Sequence, residues 1–122
     1  MFTADQIVAH LVGDYILQSH WMATEKTKQS LAAAVHAVTY TLPFLFLTLD
    51  PLALSVIAGT HFAIDRYRLA RFVVWFKNGM NGPITATGYS EDVPMWMSVW
   101  LLIIADNTLH LICNALALWL AR

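Results

Sequence analysis

His10-Leu-Val-Gly-Asp14 places an imidazole and a carboxylate four residues apart inside an apolar run, and at that spacing both side chains share one face of a helix. The face extends in both directions, because Gln6, His10, Asp14 and Gln18 recur every fourth residue and draw a polar seam down an apolar rod. The spacing returns at His61-Phe-Ala-Ile-Asp65 and, reversed, at Asp106-Asn-Thr-Leu-His110. Three copies in three hydrophobic segments predict helices that turn their polar seams toward one shared centre.

Composition fixes the surroundings of that centre. The 122 residues are 58% hydrophobic and 12% charged, about half the charge of an ordinary soluble domain. Residues 31–49 run for 19 positions without a formal charge, enough to cross a hydrocarbon core. The reading is an all-α, four-helix transmembrane bundle forming one domain over residues 1–122. Its spans are Thr3 to Trp21, Leu31 to Leu49, a third starting near Leu52, and a fourth from a cap at Asp92 through Pro94 to about Leu120. Beyond Asp65, the apolar residues Leu69, Phe72, Val73 and Phe76 keep helical spacing while Arg66, Arg68 and Arg71 take the other side; this tail is expected to lie in the headgroup region. Ala32, Ala33 and Ala37 form a small-residue face suited to close helix packing. Lys77 to Pro94 is the one long irregular segment and the candidate lid. No basic region precedes the first apolar run, so no signal peptide is expected. A net charge of -1 gives no reason to expect a nucleic-acid partner, and the single cysteine, Cys113, excludes an intrachain disulfide.

Lys26 and Lys28 fall on one side with Arg66, Arg68, Arg71 and Lys77, against Arg122 on the other, so the basic loops are expected to be cytoplasmic and the termini outside. Trp21, Trp75, Trp96 and Trp100 cluster at the cytoplasmic edge, as an anchoring aromatic belt would. With four alternating crossings, the reversed motif keeps its vertical order. His10, His61 and His110 then share one layer, with Asp14, Asp65 and Asp106 about 6 Å away in a second and His36 near the carboxylates.

Three aspartates at that depth cost roughly 9 kcal/mol, and the cations are expected at the edges, where they cannot neutralise all three. A divalent transition metal would, with zinc the foremost candidate and one or two ions possible for four imidazoles and three carboxylates. The expected ligands are His10, Asp14, His36, His61, Asp65, Asp106 and His110. Gln18, Asn107 and Asn114 are expected to hydrogen-bond around them, and Arg66 to bind a phosphate. His20 is read as interfacial and Cys113 as a packing residue. A metal-free proton relay or buried hydrogen-bond network is the alternative for the same seam.

His10-x-x-x-Asp14-Tyr-Ile-Leu-Gln18, His36, Thr60-His61-Phe-Ala-Ile-Asp65 and Asp106-Asn107-x-x-His110 resemble, in order and over nearly the whole chain, the small bacterial and phage membrane proteins of domain of unknown function 3307. A more distant similarity is to membrane-bound metal-dependent hydrolases. Asn107 stands where that pattern would carry glutamine, and the loop before the fourth helix is individual to this chain. The resemblance implies a shared buried polar centre and a bacterial or phage setting, and no established reaction; the expected location is the bacterial inner membrane. The expected activity is hydrolysis of a phosphorylated lipid or similar amphiphile in the bilayer, with a homo-oligomer possible. Proton or divalent-cation transport, or a metal-stapled phage protein that binds a host partner, are the alternatives.

Overall fold

A computed structural model describes residues 3–122; Met1 and Phe2, part of the stretch read for a leader, lie outside them. Among the described residues every regular element is helical: α1 (Ala4–Leu11), α2 (His20–Glu25), α3 (Ser30–Thr41), α4 (Pro51–Tyr67), α5 (Leu69–Lys77) and α6 (Met95–Leu120). A π-turn over Val12–Ile16 extends α1, and a 3₁₀ turn over Leu42–Phe46 extends α3.

Local chemistry sets these boundaries. Thr3 accepts from the Gln6 amide and Ser19 from the Met22 amide, so each supplies a missing partner at a helix start. Ser19 thereby ends the first run, and the continuous helix expected to Trp21 is two pieces. Pro43 cannot donate to the carbonyl one turn back, and α3 tightens into its 3₁₀ end there. Asp50 accepts from the Ala53 amide at 2.9 Å ahead of Pro51, so this pair starts α4 as well as ending what precedes it. Arg68 stops α4 in the left-handed conformation (φ 53°, ψ 48°), and α5 leaves at a new angle. Asp92 does not cap α6. It pairs with Ser90, and the helix begins after Pro94.

α4 is the hub, packed on α3 along one side and α6 along the other; α1 with its π-turn closes the bundle against α3 and α6, and α5 leans on α6. Ala32, Ala33 and Ala37 are buried as the small face of α3. Gly13 lets the π-turn meet that helix, because a Cβ there would stand 2.7 Å from Tyr40 Cδ2 and 2.8 Å from the Tyr40 carbonyl.

The distribution of side chains is inverted relative to a water-soluble bundle. Among the described residues, eight of the thirteen buried hydrophobic ones are alanine, whereas Gln6, His10, Asp14, His36, His61, Asp65, Ser98, His110 and Asn114 are buried polar groups. Large apolar side chains face outward, among them Ile16, Phe46, Phe76, Trp96 and Ile104. Four equal crossings are not what the chain builds, however. Among the described residues α6 alone is long and apolar enough to cross a membrane, while the apolar stretch Ser30–Phe46 is shorter.

Candidate metal centre

Four side chains from three elements converge at mid-bundle. Asp14 comes from the π-turn, His36 from the middle of α3, and His61 and Asp65 from one face of α4. His36 Nε2 lies 2.9 Å from His61 Nε2, 3.1 Å from Asp14 Oδ1 and 3.2 Å from Asp65 Oδ2. His61 Nε2 lies 3.2 Å from Asp65 Oδ2 and 3.7 Å from Asp14 Oδ1. Five of the six separations among these four atoms thus run from 2.9 to 3.7 Å, and one ligand atom from each residue lies within 4.8 Å of the others, close enough for all four to share one ion with bonds of about 2.0 to 2.2 Å. All four residues are buried, none above 6% exposure.

Hydrogen bonding alone leaves this set unsatisfied. Each Nε2 carries at most one proton in the neutral imidazole, so the four Nε2 contacts of His36 and His61 with Asp14 Oδ1 and Asp65 Oδ2 cannot all be hydrogen bonds. Lys26 Nζ stands 2.7 Å from Asp65 Oδ2, in direct ion-pair contact, and 3.9 Å from Asp14 Oδ1. A cation at the edges only was the expectation. Instead α2, held on the polar turn, delivers the Lys26 ammonium to the carboxylates. Burial lowers the pKa of that ammonium, but Asp65 and Asp14 outweigh it and raise the net value.

The remaining predicted residues surround the quartet. His61 Nδ1 faces His110 Nδ1 at 3.1 Å, and His110 Nε2 lies 3.1 Å from Asp65 Oδ1 and 3.4 Å from Asp106 Oδ2. Asp14, Asp106 and His110 thus offer a second set of ligand atoms within 4.8 Å of one another. The two sets exclude each other. If His61 binds through Nε2, its Nδ1–H donates to His110 Nδ1, which leaves the His110 proton on Nε2, directed at the carboxylates. Ligation by both Nε2 atoms would press two Nδ1–H groups together.

His10 is also spoken for. Asn107 donates through Nδ2 to the Ile103 carbonyl and to Tyr15, so its Oδ1 accepts, at 2.7 Å, from His10 Nε2–H. His10 Nδ1 then accepts from the Tyr40 hydroxyl at 2.8 Å, and Tyr40 accepts from Asn114 Nδ2 at 2.6 Å. The His10 Nε2 nitrogen is 3.9 Å from Asp14 Oδ2, close enough to shape the site without entering it. Tyr40, which residue spacing did not flag, stacks on the His61 ring at 3.6 Å between centroids and 14° between planes, fixing its orientation. Its only sequence signal was a position one turn beyond His36. His20 is exposed and Cys113 half-buried outside both ligand sets.

A cavity of ≈ 210 Å³ adjoins the centre, with Asp14, Asp65 and Asp106 among its lining residues. Gln18 lines it, with Oε1 buried and unpartnered. Lys26, Arg68 and Arg71 are its cations. Arg66, the arginine expected there, turns away to the Thr27 carbonyl (2.9 Å) and Ser30 Oγ (3.3 Å), tying α4 to the polar turn. Residue spacing favoured Arg66 because it adjoins Asp65, but the left-handed kink at Arg68 redirects the next two arginines instead.

Fold and centre together define a class: a small all-helical protein built around a buried His/Asp cluster able to hold a metal ion. The chain belongs to the family described as protein of unknown function (DUF3307), whose model matches residues 2–121. Neither a curated protein nor a solved structure matches it.

Proposed function

We propose that this protein is a metal-dependent hydrolase of the bacterial inner membrane. One divalent transition-metal ion, zinc foremost, sits among Asp14, His36, His61 and Asp65, and the substrate is a phosphorylated lipid or similar amphiphile. The observation that carries the reading is the buried Asp14/His36/His61/Asp65 quartet, whose two carboxylates line an open cavity with Lys26, Arg68 and Arg71. Catalytic zinc keeps a coordination position for water beside three protein ligands, and the cavity lined by Asp14 and Asp65 is where water would take that position when one of the two carboxylates gives way. When bound, the ion supplies a Lewis acid that lowers the pKa of water and offsets developing negative charge. The residues of the chain do the rest. Tyr40 and His110 orient the His61 ring, Asp106 at the cavity wall is placed to accept a proton from an attacking water, and Lys26 faces the space a substrate would fill.

The membrane setting is supported by the inverted distribution of side chains. A core helix of a soluble protein is mostly buried, whereas only 22% of the most apolar window of α6 is buried. The exposed Trp21, Trp96, Trp100 and Trp119 side chains suit interfacial anchors. Passage of ions through the bundle is the less favoured reading, because on the side of the centre away from the cavity the interior closes on Tyr40, Phe44 and Ile57, all fully buried.

Elemental analysis of protein purified in detergent tests the proposal. One transition-metal ion per chain is expected in the wild type and none in a His61→Ala/Asp65→Ala variant, with phosphate released from lipid only by the former. Wild-type protein with no stoichiometric metal would sink it.

A further inference from the structure

The charged groups lining the cavity are three carboxylates, Asp14, Asp65 and Asp106, and three cations, Lys26, Arg68 and Arg71. They balance. Lys26 is engaged with Asp65, but neither arginine makes a salt bridge among the described residues. Arg68 holds only the Ala86 carbonyl, at 2.8 Å, and Arg71 Nε is buried with no hydrogen-bond partner. Two guanidinium-bearing residues therefore line the same cavity as the carboxylates without forming a salt bridge.

From this arrangement we infer that Lys26, Arg68 and Arg71 form a phosphate site for the dianion of a phosphomonoester. The inference rests on the metal reading above. An ion of charge +2 in the quartet, with neutral imidazoles, brings the balanced cavity to an excess of +2. A phosphomonoester dianion cancels that excess, and a phosphodiester monoanion cancels half of it. Geometry agrees with the charge count. Guanidinium forks suit the several oxygens of a terminal phosphoryl group, and the ≈ 210 Å³ cavity is below the roughly 300 to 1,000 Å³ of pockets for drug-sized ligands. It has room for a headgroup phosphate, while the rest of the molecule stays outside. Hydrolysis there would join the oxygen of water to phosphorus, break the bond from phosphorus to the ester oxygen, and pass a water proton to that oxygen.

The test uses the full chain in detergent, loaded with zinc, and calorimetry with inorganic phosphate, phenyl phosphate and dimethyl phosphate. Arg68→Asn tolerates the left-handed backbone, so the double variant Arg68→Asn/Arg71→Met removes both guanidinium groups with little strain. Retention of one zinc per chain shows that it has folded. Expected are tight binding of phosphate and phenyl phosphate, weak binding of dimethyl phosphate, and a loss of roughly tenfold or more in phosphate affinity in the double variant. Phosphate release from phosphatidate micelles faster than from phenyl phosphate would mark the lipid as source, and the reverse a soluble ester; both support the site. Zinc-loaded protein that binds phosphate no better than the double variant, or binds dimethyl phosphate equally well, overturns the inference and leaves the metal centre standing. Protein that takes up no zinc removes both.

Discussion

His61 has both ring nitrogens committed, Nε2 to the quartet and Nδ1 to His110, and Tyr40 covers its face. Its replacement by alanine is expected to abolish metal binding outright, since one of four ligands and the contact to the outer imidazole go together. His10→Ala should behave differently. Both His10 nitrogens are spent on Tyr40 and Asn107, so metal stoichiometry should stay at one per chain while stability falls by about 1 to 3 kcal/mol from the stranded partners. Elemental analysis beside thermal unfolding separates the two outcomes, and loss of metal from His10→Ala would place His10 in the first sphere after all. The i, i+4 spacing predicts one layer of imidazoles and a second of carboxylates about 6 Å away. The rings do gather, with His61 and His110 centroids 4.3 Å apart and those of His10 and His110 5.7 Å apart, but the carboxylates reach back to them, Asp65 Oδ2 lying 3.2 Å from His61 Nε2. Spacing could not say which nitrogen each ring turns inward. That choice is made by Tyr40 and Asn107, whose hydroxyl and amide act from other helices.

At the level of elements, the quartet joins the π-turn, α3 and α4, and α6 reaches it through His110. An ion held at a thousandfold excess over its dissociation constant stabilises a fold by about 4 kcal/mol. Chelation is therefore expected to lower the unfolding temperature and to raise amide exchange first in residues 12–16 and α3, because Asp14 and His36 lose their link to α4. Uniform exchange across all helices would argue that the ion does not stitch these elements. Close approach of the π-turn to α3 depends on Gly13, and Gly13→Ala is expected to cost about 1 to 3 kcal/mol by pushing against Tyr40; an unchanged melting temperature would show that the turn moves freely. Apolar periodicity reveals α3, α4 and α6, along with the amphipathic tail of the third span, which the structure separates as α5. It is blind to the π-turn, to the Ser19 cap and to the left-handed Arg68, which depend on single backbone positions. For that reason the expected phosphate ligand was Arg66, and the residues lining the cavity are Arg68 and Arg71.

For the whole molecule, polar groups and alanine fill the interior and large apolar side chains cover the outside, an arrangement that gains little from water and much from a hydrocarbon surround. α6 spans about 39 Å at 1.5 Å per residue, more than the roughly 30 Å hydrocarbon core, and Ile104 lies within its middle third at 58% exposure. In water an Ile104→Lys change on an exposed face would shift stability by about 0.5 kcal/mol at most. At the centre of a bilayer the same change costs about 3 kcal/mol. Trp96→Lys, in the first turn of α6 and 67% exposed, should be tolerated in either medium, since lysine at a helix end reaches the headgroups. The membrane proposal thus predicts a steep difference between two exposed positions: Ile104→Lys should lose most of its membrane-fraction yield and unfold earlier in detergent, with Trp96→Lys near wild type. Equal yields for the two variants, or recovery of either without detergent, would mean that α6 does not lie in lipid and that its apolar face is covered by something else.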